Sequence, residues 1–229
     1  MRPVGFDVIQ PDLERVEELG REDGYERLRV HTLRGPVDMR LYRAPGARAA
    51  ALLVGGVGGG FDSPARDLYA NLGTELGGAG IGVLRVRFRD STHLAEATHD
   101  VLAGVSLLHA QGARRIGLVG HSFGGAVVIA AAVAAPVVKT VVCLATQSYG
   151  TDCVGQLAPR SILLLHGDAD EVLPPVCSLT VAANAREPKE VVLLRGAGHV
   201  LDEAADEVHR RTRDWLRHHL VAADFSGSG

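Results

Sequence analysis

The strongest constraint on how this chain can fold is an alternation between two periods. Short, nearly continuous apolar runs recur along it: "AAALLVG" (49–55), "IGVLRVRF" (81–88), "RIGLVG" (115–120), "KTVVCLA" (139–145), "SILLLHG" (161–167) and "EVVLLRG" (190–196). Between and after them lie helix-compatible stretches at 65–79, 94–111, 123–135, 175–186 and 203–220. A strand that is apolar on both faces must be covered on both, and a parallel strand needs a crossover element to bring the chain back. The pattern predicts an α/β fold whose mostly parallel central sheet of about 7–8 strands carries helices on both faces. Ahead of it, Tyr25–Thr32 and Val37–Arg43 flank the turn-prone Arg34-Gly35-Pro36 and read as an antiparallel hairpin.

The chain has 229 residues and shows no internal repeat or low-complexity linker, which suits one domain over 25–220. Residues 1–24 read as an N-terminal extension and 221–229, closing in Ser-Gly-Ser-Gly, as a flexible tail. Hydrophobic residues at 46% supply a packed core, and a formal net charge of −3 offers nucleic acid or an anionic membrane no electrostatic footprint. The first residues carry acidic side chains where a secretory signal needs an apolar stretch. The apolar run from Ala126 to Val138 is broken by Pro136 and falls short of the ~18 residues of a membrane span. Three cysteines, Cys143, Cys153 and Cys177, have neither disulfide-framework nor metal-knuckle spacing. The expectation is a cytoplasmic protein without cofactor or metal, and nothing in the sequence sets its oligomeric state.

In open parallel sheets, ligands bind beyond the carboxyl ends of the strands, so chemistry is sought in the loops that follow the apolar runs. Ser122 stands in "GHSFGG", directly after "RIGLVG" and before a helical stretch. That is the strand–turn–helix setting of an exposed nucleophile, with Gly120, Gly124 and Gly125 allowing the tight turn. A serine hydroxyl needs a base to take its proton. Of the ten histidines, His199 in "LLRGAGHVLDE" has the post-strand position. His121 adjoins the serine, His166 is read as shaping the acid loop, and the others fall on helices, beside them or in the hairpin. The acid that orients the base is sought in "LLLHGDADEVLPP": Asp170 is the choice, with Asp168 as runner-up and a turn-stabilising hydrogen bond as its other role. An oxyanion hole would take one N–H from Phe123 and one from the glycine-rich loop "GGVGGGFDS", where Val57 is the leading donor. A phosphate cradle is the rival reading of that loop. It lacks the Lys-Ser/Thr of a Walker loop, and Phe61 stands where glycine is required.

Together "VGGVGGGFDS", "GHSFGGA", "HGDADEVLPP" and "GAGHVLDE" resemble the α/β-hydrolase superfamily, in particular its small, lid-poor dienelactone-hydrolase-like and carboxylesterase members. The resemblance covers about residues 25–220. It implies Ser122, Asp170 and His199 as the triad, with Val57 and Phe123 as oxyanion hole. Two positions depart from the pattern: Gly55 stands where the family commonly has histidine, and the nucleophile is serine where dienelactone hydrolases use cysteine. Halide-handling members usually carry aspartate at the nucleophile position, which argues against that chemistry here.

Thr146–Arg160 is too short for a cap domain, so the site is expected to be open, with Phe61, Tyr149, Leu173 and Val200 offering apolar contacts to substrate. The expected activity is metal-independent hydrolysis of small-molecule carboxylic esters through an acyl-enzyme. Thioester or amide hydrolysis on the same fold is the alternative, and a non-catalytic binding or interaction module is the alternative of another class.

Overall fold

In the computed structural model, which describes residues 13–22 and 24–221, a nine-stranded sheet runs through the molecule. In chain order the strands are β1 (Leu13–Glu22), β2 (Tyr25–Thr32), β3 (Gly35–Tyr42), β4 (Ala49–Val54), β5 (Ile81–Val86), β6 (Arg115–His121), β7 (Val138–Leu144), β8 (Ser161–Gly167) and β9 (Lys189–Leu194). The helices are α1 (Pro64–Leu76), α2 (Leu94–Ala110), α3 (Phe123–Ala134), α4 (Val176–Asn184) and α5 (Ala205–Leu220). Across the sheet the strands lie in the order β1-β2-β3-β5-β4-β6-β7-β8-β9. The first three form an antiparallel meander that joins β5 antiparallel, and β5, β4 and β6 to β9 are parallel.

Alternation along each strand divides the core in two. In β4, Ala50, Leu52 and Val54 face one cluster with Val101 and Val105 of α2 and Val127 of α3. Ala49, Ala51 and Leu53 face the other, with Leu68 and Leu72 of α1 and Val208 and Leu216 of α5. Strands β7 and β8 split the same way: Val141, Cys143, Ile162 and Leu164 to the first cluster, Val142, Leu144, Leu163 and Leu165 to the second. Each such buried Val or Leu side chain contributes about 1.5–3 kcal/mol. That is the physical reason the strands read as unbroken apolar runs.

Among the described residues the sheet begins at Leu13, inside the segment expected to be an extension. Strand β1 pairs along β2, Val16 opposite Val30 and Glu18 opposite Leu28, yet most of its side chains are exposed. An edge strand held by backbone hydrogen bonds needs no apolar alternation, and "LERVEELGRE" has none. Residues 1–12 and all of the expected tail except Val221 lie outside the described residues.

The order in which strands are added to the sheet reverses around β4. From β4 the chain passes through α1 to β5 on one side, and from β6 through α3 to β7 on the other. This is a topological switch point, and in open α/β sheets ligands bind there, beyond the carboxyl ends of the flanking strands. Between β7 and β8 there is a single 3₁₀ turn, Asp152–Gln156, and no cap domain. Among the described residues no helix is long and apolar enough to cross a membrane.

Candidate active site

Ser122 occupies the corner between β6 and α3 with φ 56° and ψ −119°, a conformation that costs a non-glycine residue about 1–3 kcal/mol. The surrounding packing holds it there. Its N–H donates to Leu144 O at 2.8 Å, and its carbonyl accepts from Gly125 N at 3.1 Å. The turn closes because its neighbours lack side chains. A Cβ on Gly120 would lie 2.1 Å from Gly124 O, and one on Gly124 would lie 2.2 Å from Gly55 O. The corner sets Ser122 at the amino end of α3, where free N–H groups and the helix dipole favour negative charge.

His199 reaches this hydroxyl from the loop after β9, with Nε2 at 3.0 Å from Ser122 Oγ. Its Nδ1 lies 2.8 Å from Asp170 Oδ2, so the imidazole stands between hydroxyl and carboxylate. Asp170 Oδ1 accepts the N–H groups of Val172 and Leu173, both at 2.9 Å. Burial pushes the Asp170 carboxyl up. The His199 ring N–H, the two backbone N–H groups and the charge on His199 outweigh it, leaving Asp170 below the usual carboxylate range. Asp168, the runner-up, faces away from this array and accepts Gly196 N at 2.6 Å, the turn-stabilising bond that was its other expected role.

Two further histidines enclose the array. The His121 ring lies 4.9 Å from that of His199, and its Nε2 is 2.9 Å from His199 O. Burial lowers His121 to about 4, so the ring is neutral near pH 7 and donates its Nε2 proton to that carbonyl. His166 sits fully buried under the acid loop, with Nε2 2.9 Å from Leu173 O, as its reading as a loop-shaping residue anticipates. The support that His121 gives to the His199 backbone is a long-range contact with no signal in the sequence.

The loop after β4 closes the other side. Gly56 abuts the serine: a Cβ there would lie 3.2 Å from Ser122 Cβ. Ser91 Oγ donates to Val57 O at 2.8 Å and pins the loop. Among the described residues, the N–H groups of Val57 and Phe123 have no acceptor within the protein. Gly55, where histidine is common in the resembling family, has its side-chain direction filled by Asp62, whose Cβ would be 3.1 Å away.

Of the expected substrate contacts, Tyr149 is 83% exposed and Val200 is 49% exposed, while Leu173 is half-buried. The Phe61 ring lies on Arg40, 4.2 Å from its guanidinium carbon, and Phe61 O accepts from Arg85 Nη2. Its contacts therefore tie the glycine-rich loop to β3 and β5. Val57 in the loop after β4, Val172 in the loop after β8 and Val176 at the start of α4 are also exposed. Among the described residues, no group of three or more His, Cys, Asp and Glu side chains is arranged to hold a metal ion.

With this sheet order, and a strained serine at a strand–helix corner approached by a histidine from the last strand loop, the chain has the α/β-hydrolase fold. It is similar to a dienelactone hydrolase from Anabaena variabilis, at TM-score 0.74 and 20% identity, covering 86% of this chain and 100% of that one. It is also similar to an α/β serine hydrolase homologue from Coxiella burnetii (TM-score 0.71, 19% identity, 86% and 99% covered). A third is the esterase domain of a Rhodothermus marinus protein (TM-score 0.67, 21% identity, 90% and 99% covered). No protein-family model matches the chain, and no curated protein sequence matches it.

Proposed function

We propose that the chain is a serine hydrolase of small-molecule carboxylic esters. The observation that carries this reading is the continuous path from Ser122 Oγ through both nitrogens of His199 to Asp170, with spacings of 3.0 and 2.8 Å. In the proposed reaction His199 Nε2 takes the Ser122 proton as Oγ bonds to the substrate carbonyl carbon. The carbonyl electron pair moves to its oxygen, which the N–H groups of Val57 and Phe123 receive. When the tetrahedral intermediate collapses, the alcohol leaves with the proton carried by His199, and Ser122 holds the acyl group. Water repeats the cycle: His199 takes its proton, hydroxide oxygen bonds to the acyl carbon, and the Ser122 alkoxide leaves and is reprotonated. Asp170 stays ionised throughout and holds His199 in the tautomer with hydrogen on Nδ1.

The exposed apolar side chains that follow the carboxyl ends of the strands in sequence, Val57, Tyr149, Val172, Val176 and Val200, support substrates with an apolar acyl or alcohol group. Leu173 and Val200 flank the acid and base and are proposed to line that group, with Tyr149 at the rim. The lack of a cap domain between β7 and β8 supports an open site accepting short and medium chains. The test is turnover of p-nitrophenyl acetate and butyrate by wild type and Ser122→Ala. The alanine variant is expected to lose about 10⁴–10⁶-fold in kcat, as when a triad nucleophile is removed. Equal turnover in the two proteins would falsify the proposal. Matched thioester and anilide substrates in the same assay separate ester hydrolysis from its two chemical relatives.

A further inference from the structure

Asp170 is approached by two histidines. His199 meets Oδ2 from the solvent side, and the fully buried His166 places Nε2 3.2 Å from the same oxygen. His166 Nε2 also lies 2.9 Å from Leu173 O. Both neighbours of this nitrogen are acceptors, so Nε2 carries the proton. On the other side of the ring, His166 Nδ1 lies 2.6 Å from Ser178 Oγ in the first turns of α4. That hydroxyl is itself fully buried against the imidazole, so it donates to the bare Nδ1 and holds the ring in the Nε2–H tautomer. The result is a chain that reads Ser122, His199, Asp170, His166, Ser178. One serine–histidine pair opens to solvent and the other is sealed beneath the carboxylate.

We infer that His166, held by Ser178, is a positioning residue for the proposed reaction: it fixes the acid loop and draws part of the Asp170 charge away from His199. Leu173 explains the first part. Its carbonyl takes the His166 proton while its own N–H binds Asp170 Oδ1, so one residue transmits the orientation of the buried ring to the carboxylate. Geometry at Oδ2 explains the second. The His166 N–H points at Leu173 O, and its nitrogen lies 3.2 Å from Oδ2, the oxygen that also binds the His199 proton, so the N–H dipole acts at close range on the charge that His199 uses. Other groups face this array: His121 from β6 on the His199 ring, Asp168 on Gly196 N, and Glu203, whose Oε2 accepts Gly198 N at 3.0 Å. Asp202 holds Arg66 N at 2.9 Å one layer further out. Among these, His166 is the group that touches Asp170 without touching His199.

The kinetic part of this inference rests on the hydrolase reading, so its test has a part that does not. In wild type and in Ser122→Ala, ¹⁵N-histidine two-bond spectra read the His166 tautomer directly. The expected state has hydrogen on Nε2, and a ring with Nε2 bare overturns the inference whatever the activity. In the kinetic arm, His166→Leu keeps comparable volume and removes the donor. It is expected to lower kcat about 10-fold or more at little change in KM, as loss of an orienting partner does elsewhere. The acidic limb of kcat/KM should also move to higher pH by about half a unit, because Asp170 then holds the His199 proton more firmly. His166→Gln, whose amide N–H can replace Nε2–H, should stay within about threefold of wild type with its limb unmoved. An unmoved acidic limb in His166→Leu, or equal losses in the Leu and Gln variants, overturns the inference. Failure of Ser122→Ala to lose turnover would strike the hydrolase reading and leave the tautomer result standing.

Discussion

Replacing Gly124 by alanine sets two effects of opposite sign against each other. Gly124 lies in the first turn of α3, where alanine is the better helix former by about 0.5–1 kcal/mol. Its new Cβ, however, would lie 2.2 Å from Gly55 O, with Val54 Cγ2 at 3.1 Å and Val54 O at 3.2 Å. An ordinary close carbon–oxygen contact is about 3.3 Å, so the backbones must part by about 1 Å. No flexible side chain can absorb this, because the nearest atom is the carbonyl that begins the glycine-rich loop. The loop is therefore expected to shift away from Ser122, taking the Val57 N–H with it. Overpacking of this kind costs about 1–3 kcal/mol, which exceeds the helical gain. A displaced oxyanion donor lowers kcat about 10²–10³-fold. Urea unfolding followed through Trp215, the single tryptophan, measures the first effect, and p-nitrophenyl butyrate turnover measures the second. Gly78→Ala is the control: no atom lies within 4 Å of its added Cβ, so it should change stability by less than about 0.5 kcal/mol. A Gly124→Ala protein with unchanged urea midpoint and unchanged kcat would refute the steric account of this corner.

Asp170→Asn should keep the shape of the site and lose about 10⁴-fold in kcat, because an amide N–H can favour the wrong His199 tautomer. Recovery of full turnover near neutral pH would remove Asp170 from the proposed array. Acid should destabilise the fold through His121, whose value falls from 6.5 to about 4 on burial. The unfolded chain binds the extra proton between those values. The contribution, about 3 kcal/mol, is therefore fully present above pH 6.5, lost as pH falls toward 4, and constant below. Urea midpoints across that range should fall less steeply in His121→Gln than in wild type, and equal slopes would contradict the assignment. Tyr149→Ala should leave stability within about 0.5 kcal/mol, since the side chain is 83% exposed, and raise KM for longer acyl chains more than for acetate. A KM that is flat across a graded ester series would take Tyr149 out of the substrate path.

Local chemistry made most of the strand and helix order legible. The apolar run "SILLLHG" and strand β8 coincide at Ser161–Gly167, because burial on both faces leaves no room for polar residues. The same holds for "RIGLVG", the run that ends in the corner before Ser122. Strand β1 was illegible for the opposite reason. Its backbone does the bonding, its side chains face water, and "LERVEELGRE" carries no period-2 apolar signal.

What the sequence by itself determined is the kind of sheet, the order of its parallel strands along the chain, and which loops could hold chemistry. Burial pattern and glycine spacing are local consequences of packing and turn sterics, and so they are written locally. Only the tertiary structure decided what those loops do to one another. Asp168 and Asp170 are two residues apart, and the sequence favours Asp170 with Asp168 as runner-up. Folding turns one toward His199 at 2.8 Å and the other toward Gly196 N at 2.6 Å. The same closure brings His121 against His199 and places His166 with Ser178 beneath Asp170. Distances of this kind depend on how strands far apart in the sequence stack and how their loops curl. A one-dimensional pattern constrains that geometry only through the fold it produces.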